Sequence, residues 1–301
     1  DYFYRLLSSL DLIKEENKLS FTGPGITPIP SYDHDEYLRA FGSGADIEAF
    51  TKDREWMPRL VLIAKNSFVW LDQLSRKYQQ EIRRLDQIPE IELETLARWG
   101  ITGLWLIGLW ERSPASARIK QLCGNQEAIS SAYSLYSYQI AEDLGGEESY
   151  AGLRDKAARY GIRLASDMVP NHMGIDSEWM IRHPERFLSI DQCPYPSYRF
   201  TGEHLSSDPN VVIQIEDHYF ERTDAAVVFK RQDRNSGEVK YIYHGNDGTT
   251  MPWNDTAQLN YLNPEVREAV IQTILEVARR FPIIRFDAAM TLAKKHYQRL
   301  W

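Results

Sequence analysis

Two short stretches of this chain carry residue types that could do chemistry. The first is Arg285-Phe286-Asp287, which closes the apolar run Pro282-Ile283-Ile284. Side chains alternate along a strand, so Arg285 and Asp287 share one side. A guanidinium held beside a carboxylate keeps that carboxylate ionised at neutral pH. An ionised, oriented carboxylate at the C-terminal end of a strand suits a nucleophile that forms a covalent intermediate. The second stretch is Asp167-Met168-Val169-Pro170-Asn171-His172, where another apolar run ends in Asp, Asn and His. Taken alone, Asp167 and Asn171 would serve the backbone of a turn and His172 would pack. At the ends of parallel strands the same types build active sites.

The elements that must position these residues follow from the apolar pattern. Four near-continuous runs read as strands covered on both faces: 60–64, 104–109, 162–168 and 282–287. Helical patterns lie between them. Residues 92–99 precede Gly100, 147–160 precede Gly161, and 264–280 begin with Pro264 behind Asn263, a good N-cap. In the last helix Val266, Val270, Ile274, Val277 and Ala278 fall on one face. Strand and helix alternating with one polarity predict an α/β fold with a parallel sheet. Residues 173–258 break that rhythm and are too many for a plain loop. They predict an inserted subdomain, with a hairpin around Asn235-Ser236-Gly237. The expected organisation is therefore 1–55 without an assigned role, 56–172 as the first part of the α/β domain, 173–258 as the insertion, and 259–301 as its continuation.

Composition narrows the partners. With 43% hydrophobic and 26% charged residues the 301-residue chain reads as a globular protein. A net charge of -8 without a basic stripe argues against nucleic acid. No apolar run reaches the length of a membrane span. Cys123 and Cys193 give no disulfide framework, and free thiols in a reducing cytoplasm are expected.

Asp167, Val169, Asn171 and His172 form Asp-x-Val-x-Asn-His, and Arg285-Phe286-Asp287-Ala288 forms Arg-x-Asp-Ala. Together, on either side of a long insertion, they resemble the third- and fourth-strand motifs of the α-amylase superfamily of glycoside hydrolases. Gly100-Ile101-Thr102-Gly103-Leu104-Trp105-Leu106 looks like that superfamily's second strand. Ala132-Tyr133-Ser134-Leu135-Tyr136-Ser137-Tyr138 is similar to its Gly-Tyr-Asp-x-x-Asp-Tyr loop, and residues 259–264 resemble the approach to the nucleophile's helix. The resemblance implies a (β/α)8 TIM barrel of which about four strands are present, with the subdomain inserted after the third.

The resemblance also implies roles. Asp287 would be the nucleophile of a retaining mechanism on α-glucosidic bonds, oriented by Arg285. Asp167 would support Arg285, His172 would hydrogen-bond the sugar, and Tyr133 would stack on it. No cofactor is required, although in some members the position of Asn171 is a calcium ligand. The expected partner is an α-glucan or oligosaccharide. The chain departs from the family at Met290-Thr291, where amylases carry a Lys-His pair. It departs again at Ser134 and Ser137, which replace Asp, and at Gln258, which replaces Asp in a subgroup motif. A retaining site needs a second carboxyl about 5 Å from the nucleophile. In the family it lies on the fifth strand, so the rest of the barrel is expected beyond Trp301. Glu216, Asp217 and Glu221 are expected to be ordinary surface acids. Trp110, Trp179 and Trp253 either line the mouth of the barrel or pack the insertion against it. A non-catalytic carbohydrate-binding relative is the competing reading. A metal-dependent hydrolase using Asp167, His172 and Asp287 is a third.

Overall fold

The computed structural model describes residues 53, 55–248 and 251–301. The chain divides into two units, 1–58 and 59–301, and the architecture below is that of the second. The expected N-terminal segment 1–55 lies almost wholly outside the described residues.

Strand β1 (Leu62–Asn66) runs into helix α1 (Ser67–Tyr78), where the Asn66 side chain caps the Val69 N–H. Helix α2 (Glu90–Arg98) ends at Trp99 and the left-handed Gly100, then leads into β2 (Gly103–Ile107). After β2 come the short β3 (Trp110–Arg112), α3 (Pro114–Leu122) and β4 (Leu135–Ile140), with β3 and β4 paired antiparallel. Helix α4 (Gly146–Arg159) stops before the left-handed Gly161 and feeds β5 (Arg163–Met168).

The chain then leaves the sheet. It forms β6 (His172–Gly174), α5 (Glu178–Arg182), β7 (Ser189–Ile190), β8 (Val211–Gln214), α6 (Asp217–Glu221), β9 (Val228–Asp233) and β10 (Val239–Tyr243). It returns through β11 (Thr256–Gln258), α7 (Pro264–Arg280), β12 (Ile283–Phe286) and α8 (Lys294–Leu300). The expected α7 is present from Pro264 to Arg280, with the Asn263 side chain accepting the Glu265 N–H at 2.9 Å.

Strands β1, β2, β5 and β12 form one all-parallel sheet in that order. Its two inner strands are deeply buried, with Leu104, Leu106, Leu164 and Met168 at 0–2% exposure. Both outer strands are half-exposed: Leu62 is 43% and Phe286 41% accessible. A second, antiparallel sheet, in the order β7-β10-β9-β8, lies within the expected insertion, and its β9–β10 hairpin turns at the expected Asn235-Ser236-Gly237.

Two local expectations are corrected. The first strand is 62–66, not 60–64, because pairing with β2 sets Leu62 opposite Gly103. Glu216 is no surface acid. It is fully buried, caps α6, and accepts hydrogen bonds from the Arg199 N–H and the His218 ring.

Candidate active site

The parallel register places Arg285 of β12 directly opposite Asp167 of β5. Partners in a parallel ladder point the same way, so the guanidinium meets the carboxylate across the strand gap. Arg285 Nη1 lies 3.0 Å from Asp167 Oδ1, and Nη2 lies 2.8 Å from Asp287 Oδ1. One guanidinium thus bridges the two aspartates that the sequence singles out. Asp287 is fixed by its own N–H, which donates to the Met168 carbonyl at 2.8 Å. The next residue, Ala288, takes the left-handed conformation at φ 50°. For a non-glycine residue that costs about 1 kcal/mol, and it turns the chain sharply just after the aspartate. The Thr291 hydroxyl braces the turn by donating to the Ala288 carbonyl at 3.0 Å.

Asp167 forms the floor. The Trp105 indole donates to Asp167 Oδ2 at 3.0 Å, and the Trp110 indole donates to its backbone carbonyl at 2.8 Å. Burial raises the Asp167 carboxyl above the ordinary range, against the opposing hydrogen bonds from Trp105 and Arg285. At Arg285 the balance reverses. Its burial lowers the guanidinium, but the hydrogen bond to Asp167 and the charge of Asp287 outweigh that and raise it. The asymmetry follows from exposure, since the Asp167 side chain is 4% accessible and that of Arg285 42%.

His172 is buried, and desolvation holds its imidazole below the ordinary value, so it is neutral near pH 7. With the Asn171 amide donating to Nδ1 at 3.1 Å, Nε2 carries the proton and donates to the Tyr133 carbonyl at 3.2 Å. Both ring nitrogens are therefore engaged. His172 can reach a sugar hydroxyl only by exchanging the Tyr133 carbonyl for it. Gly245 packs against this ring: a Cβ there would sit 3.1 Å from His172 Cβ and 2.4 Å from Thr256 Oγ1. Only glycine permits that approach.

Asn171 tests the calcium reading. Its Oδ1 accepts the Gln258 amide at 3.0 Å, and Gln258 Oε1 accepts the Asn246 N–H at 3.2 Å. One N–H therefore engages Asn171 Oδ1, which as an amide oxygen keeps a second lone pair. Among the described residues no group of three or more His, Cys, Asp or Glu side chains is arranged to hold a metal.

A cavity of about 300 Å³ opens above this floor, lined by Ser131, Tyr133, His172, Trp253, Asp255, Thr256 and Asp287. Three of the five residues proposed from sequence line it, and Arg285 and Asp167 lie beneath. The Trp253 ring leans on His172 at 5.1 Å, which settles that tryptophan as a wall of the cleft. Trp110 is core, 1% exposed, and Trp179 lies under the Arg186 guanidinium at 4.5 Å. A larger cavity of about 520 Å³ runs along α1 past Phe68, Asp72, Glu81 and Asp143. It touches none of the strand-end carboxylates, so the smaller one is the candidate site.

Two acidic residues of this region are not singled out by the sequence. Asp176 is buried, accepts the Ser113 hydroxyl at 2.5 Å and the Ala115 N–H at 3.1 Å, and so caps α3. Burial pushes its carboxyl up to about 6. Asp255, the other, lines the cavity itself.

No helix among the described residues is long and apolar enough to cross a membrane. No curated protein matches the sequence. Solved structures of similar fold include an alpha-amylase from Lactobacillus plantarum, at 15% identity and a TM-score of 0.44 over 76% of this chain and 38% of that one. A trehalose-6-phosphate hydrolase from Bacillus licheniformis matches at 15% identity and a TM-score of 0.47, over 77% and 35%. An isomaltulose synthase from a Klebsiella species matches at 20% and 0.43, over 71% and 32%. The chain thus spans only about a third to two-fifths of the length of these proteins. A family model described as alpha amylase, catalytic domain, matches residues 90–296, well over half of the chain. With four parallel strands and their helices built as part of a (β/α)8 barrel, this chain belongs to the alpha-amylase family through its catalytic domain.

Proposed function

We propose that this chain carries the nucleophile side of a retaining site for α-glucosidic bonds, with Asp287 as the nucleophile. The observation that supports it most is the Arg285 bridge, which orients Asp287 at the edge of a sugar-sized cleft beside Tyr133, His172 and Trp253. In this reading an Asp287 oxygen attacks the anomeric carbon, the glycosidic C–O bond breaks, and a glycosyl ester forms. The departing oxygen takes a proton from a general acid. Water then attacks the ester, giving its proton to the same group and releasing Asp287. A second sugar hydroxyl in place of that water gives transfer instead of hydrolysis. Arg285 and Trp105 hold the floor while charge moves off Asp287, and Tyr133 and Trp253 present ring faces to the sugar. We assign residues 173–258 to a subdomain placed over the strand ends. The general acid is proposed to lie outside these 301 residues, in keeping with the share of the solved relatives that they cover.

The nucleophile can be tested without its acid, because fluoride leaves without a proton. An α-glucosyl fluoride bearing a second fluorine on the ring should leave one glycosyl adduct on the purified chain. Mass spectrometry should place it on Asp287, and Asp287→Asn should stay unlabelled. An unlabelled wild-type chain, or a label elsewhere, would rule the assignment out. Natural maltooligosaccharides should not turn over on this chain alone.

A further inference from the structure

Asp255 lies on the turn between Trp253 and β11, and three hydrogen bonds hold it. Its backbone carbonyl accepts the Ile175 N–H at 3.2 Å and the Ser134 hydroxyl at 2.7 Å. Its Oδ2 accepts the hydroxyl of the fully buried Ser116 at 2.6 Å. Ser116 Oγ in turn accepts the Ser131 N–H at 2.9 Å, tying Asp255 to the turn that carries Tyr133. The other oxygen, Oδ1, accepts no hydrogen bond from any described residue, although the side chain lines the cleft together with His172, Trp253 and Asp287.

A fixed carboxylate with one committed oxygen and one open oxygen, beside an aromatic ring, is built to accept a hydroxyl. Its charge is also unbalanced. Asp255 forms no ion pair among the described residues, Arg285 is shared between Asp167 and Asp287, and burial keeps His172 neutral. The floor and walls therefore hold three aspartates against one guanidinium.

We propose that Asp255 accepts a hydrogen bond from the bound saccharide through Oδ1, and that its charge makes the cleft select uncharged glucosides over those bearing a phosphate. This rests on the reading that the cavity is the sugar subsite, and it adds a residue and a specificity that the reading does not contain. Anion exclusion follows because a like charge brought into a narrow cleft is repelled when nothing neutralises it.

The test is calorimetric titration of this chain with maltotriose and with maltotriose phosphorylated on its non-reducing glucose. Wild type should bind the neutral sugar at least tenfold more tightly. Asp255→Asn should weaken maltotriose about tenfold, the loss of one charge-assisted hydrogen bond, and should narrow the preference for the neutral sugar by a similar factor. Ser116→Ala should leave that preference in place. Equal or tighter binding of the phosphorylated sugar by wild type overturns the proposal without any variant. So does Asp255→Asn that keeps both affinity and preference while Asp287→Asn loses binding, and that outcome leaves the subsite reading standing. A folded wild-type chain that binds neither sugar overturns both.

Discussion

Asp176 and His244 are both buried, and burial acts on them with opposite sign. The Asp176 carboxyl is pushed up to about 6 by desolvation, against hydrogen bonds from Ser113 and Ala115. As pH rises from about 4 to about 6, the unfolded chain gives up this proton before the folded one. The stability that Asp176 contributes is present in full at low pH and is lost across that window. His244, 1% exposed, is pushed down to about 4 by desolvation, against its bond to the Thr256 carbonyl. As pH falls from about 6.5 to about 4, the unfolded chain takes up a proton that the folded chain refuses. Its contribution is present above that window and lost within it. Comparing variants with wild type isolates each effect. The advantage of wild type over Asp176→Asn should shrink as pH rises from 4 to 6, by on the order of 5 °C in thermal midpoint. The advantage over His244→Phe should grow over the same range. Parallel slopes for both variants would refute the assignment.

Between elements, Arg231 ties the antiparallel sheet to the segment that follows His172. It stands on β9, is 2% exposed, and donates from Nε to the Met180 carbonyl at 3.1 Å and from Nη2 to the Ile181 carbonyl at 3.4 Å. Those carbonyls lie in the last turn of α5, where backbone acceptors lack helical partners. Arg231→Ala should lower the urea-extrapolated stability by about 2–4 kcal/mol, from unmet carbonyls and a cavity. A loss below 0.5 kcal/mol would show that water replaces it at no cost. This contact, like the capping role of Glu216, could not be read from the sequence, since it depends on how the returning chain packs. Asp255 escaped for the same reason: its partner Ser116 is 139 residues away. What could be read was local. Asn263-Pro264 marked the start of α7, Gly100 and Gly161 marked helix ends, and the alternation Arg285-Phe286-Asp287 marked the ion pair between its first and last residues. Helix α1 was missed because Phe68, Val69, Trp70 and Leu71 continue the apolar run of β1, which hides the change of period.

At the scale of the whole molecule, the described sheet is built from its middle outward. Among the described residues, strand β5 is paired on both sides, by β2 and β12, whereas β12 is paired with β5 alone and β1 with β2 alone. The order of site assembly follows from this connectivity. Asp167 sits on the doubly paired strand and is held by two indoles, so its place is set early and firmly. Arg285 is the second-last residue of a singly paired strand whose last two residues are exposed, and Asp287 lies just past it. Amide deuterium uptake should therefore be slowest in β5 and β2 and at least tenfold faster in β12, since one-sided ladders open at lower free energy. Uniform protection across the four strands would contradict it. Asp287, which we propose as the nucleophile, thus follows the less protected of the two strands whose ends meet at Arg285 and Asp167. Any ligand that clasps Arg285 and Asp287 together should appear first as a slowing of deuterium entry into β12, before any change in the rest of the sheet.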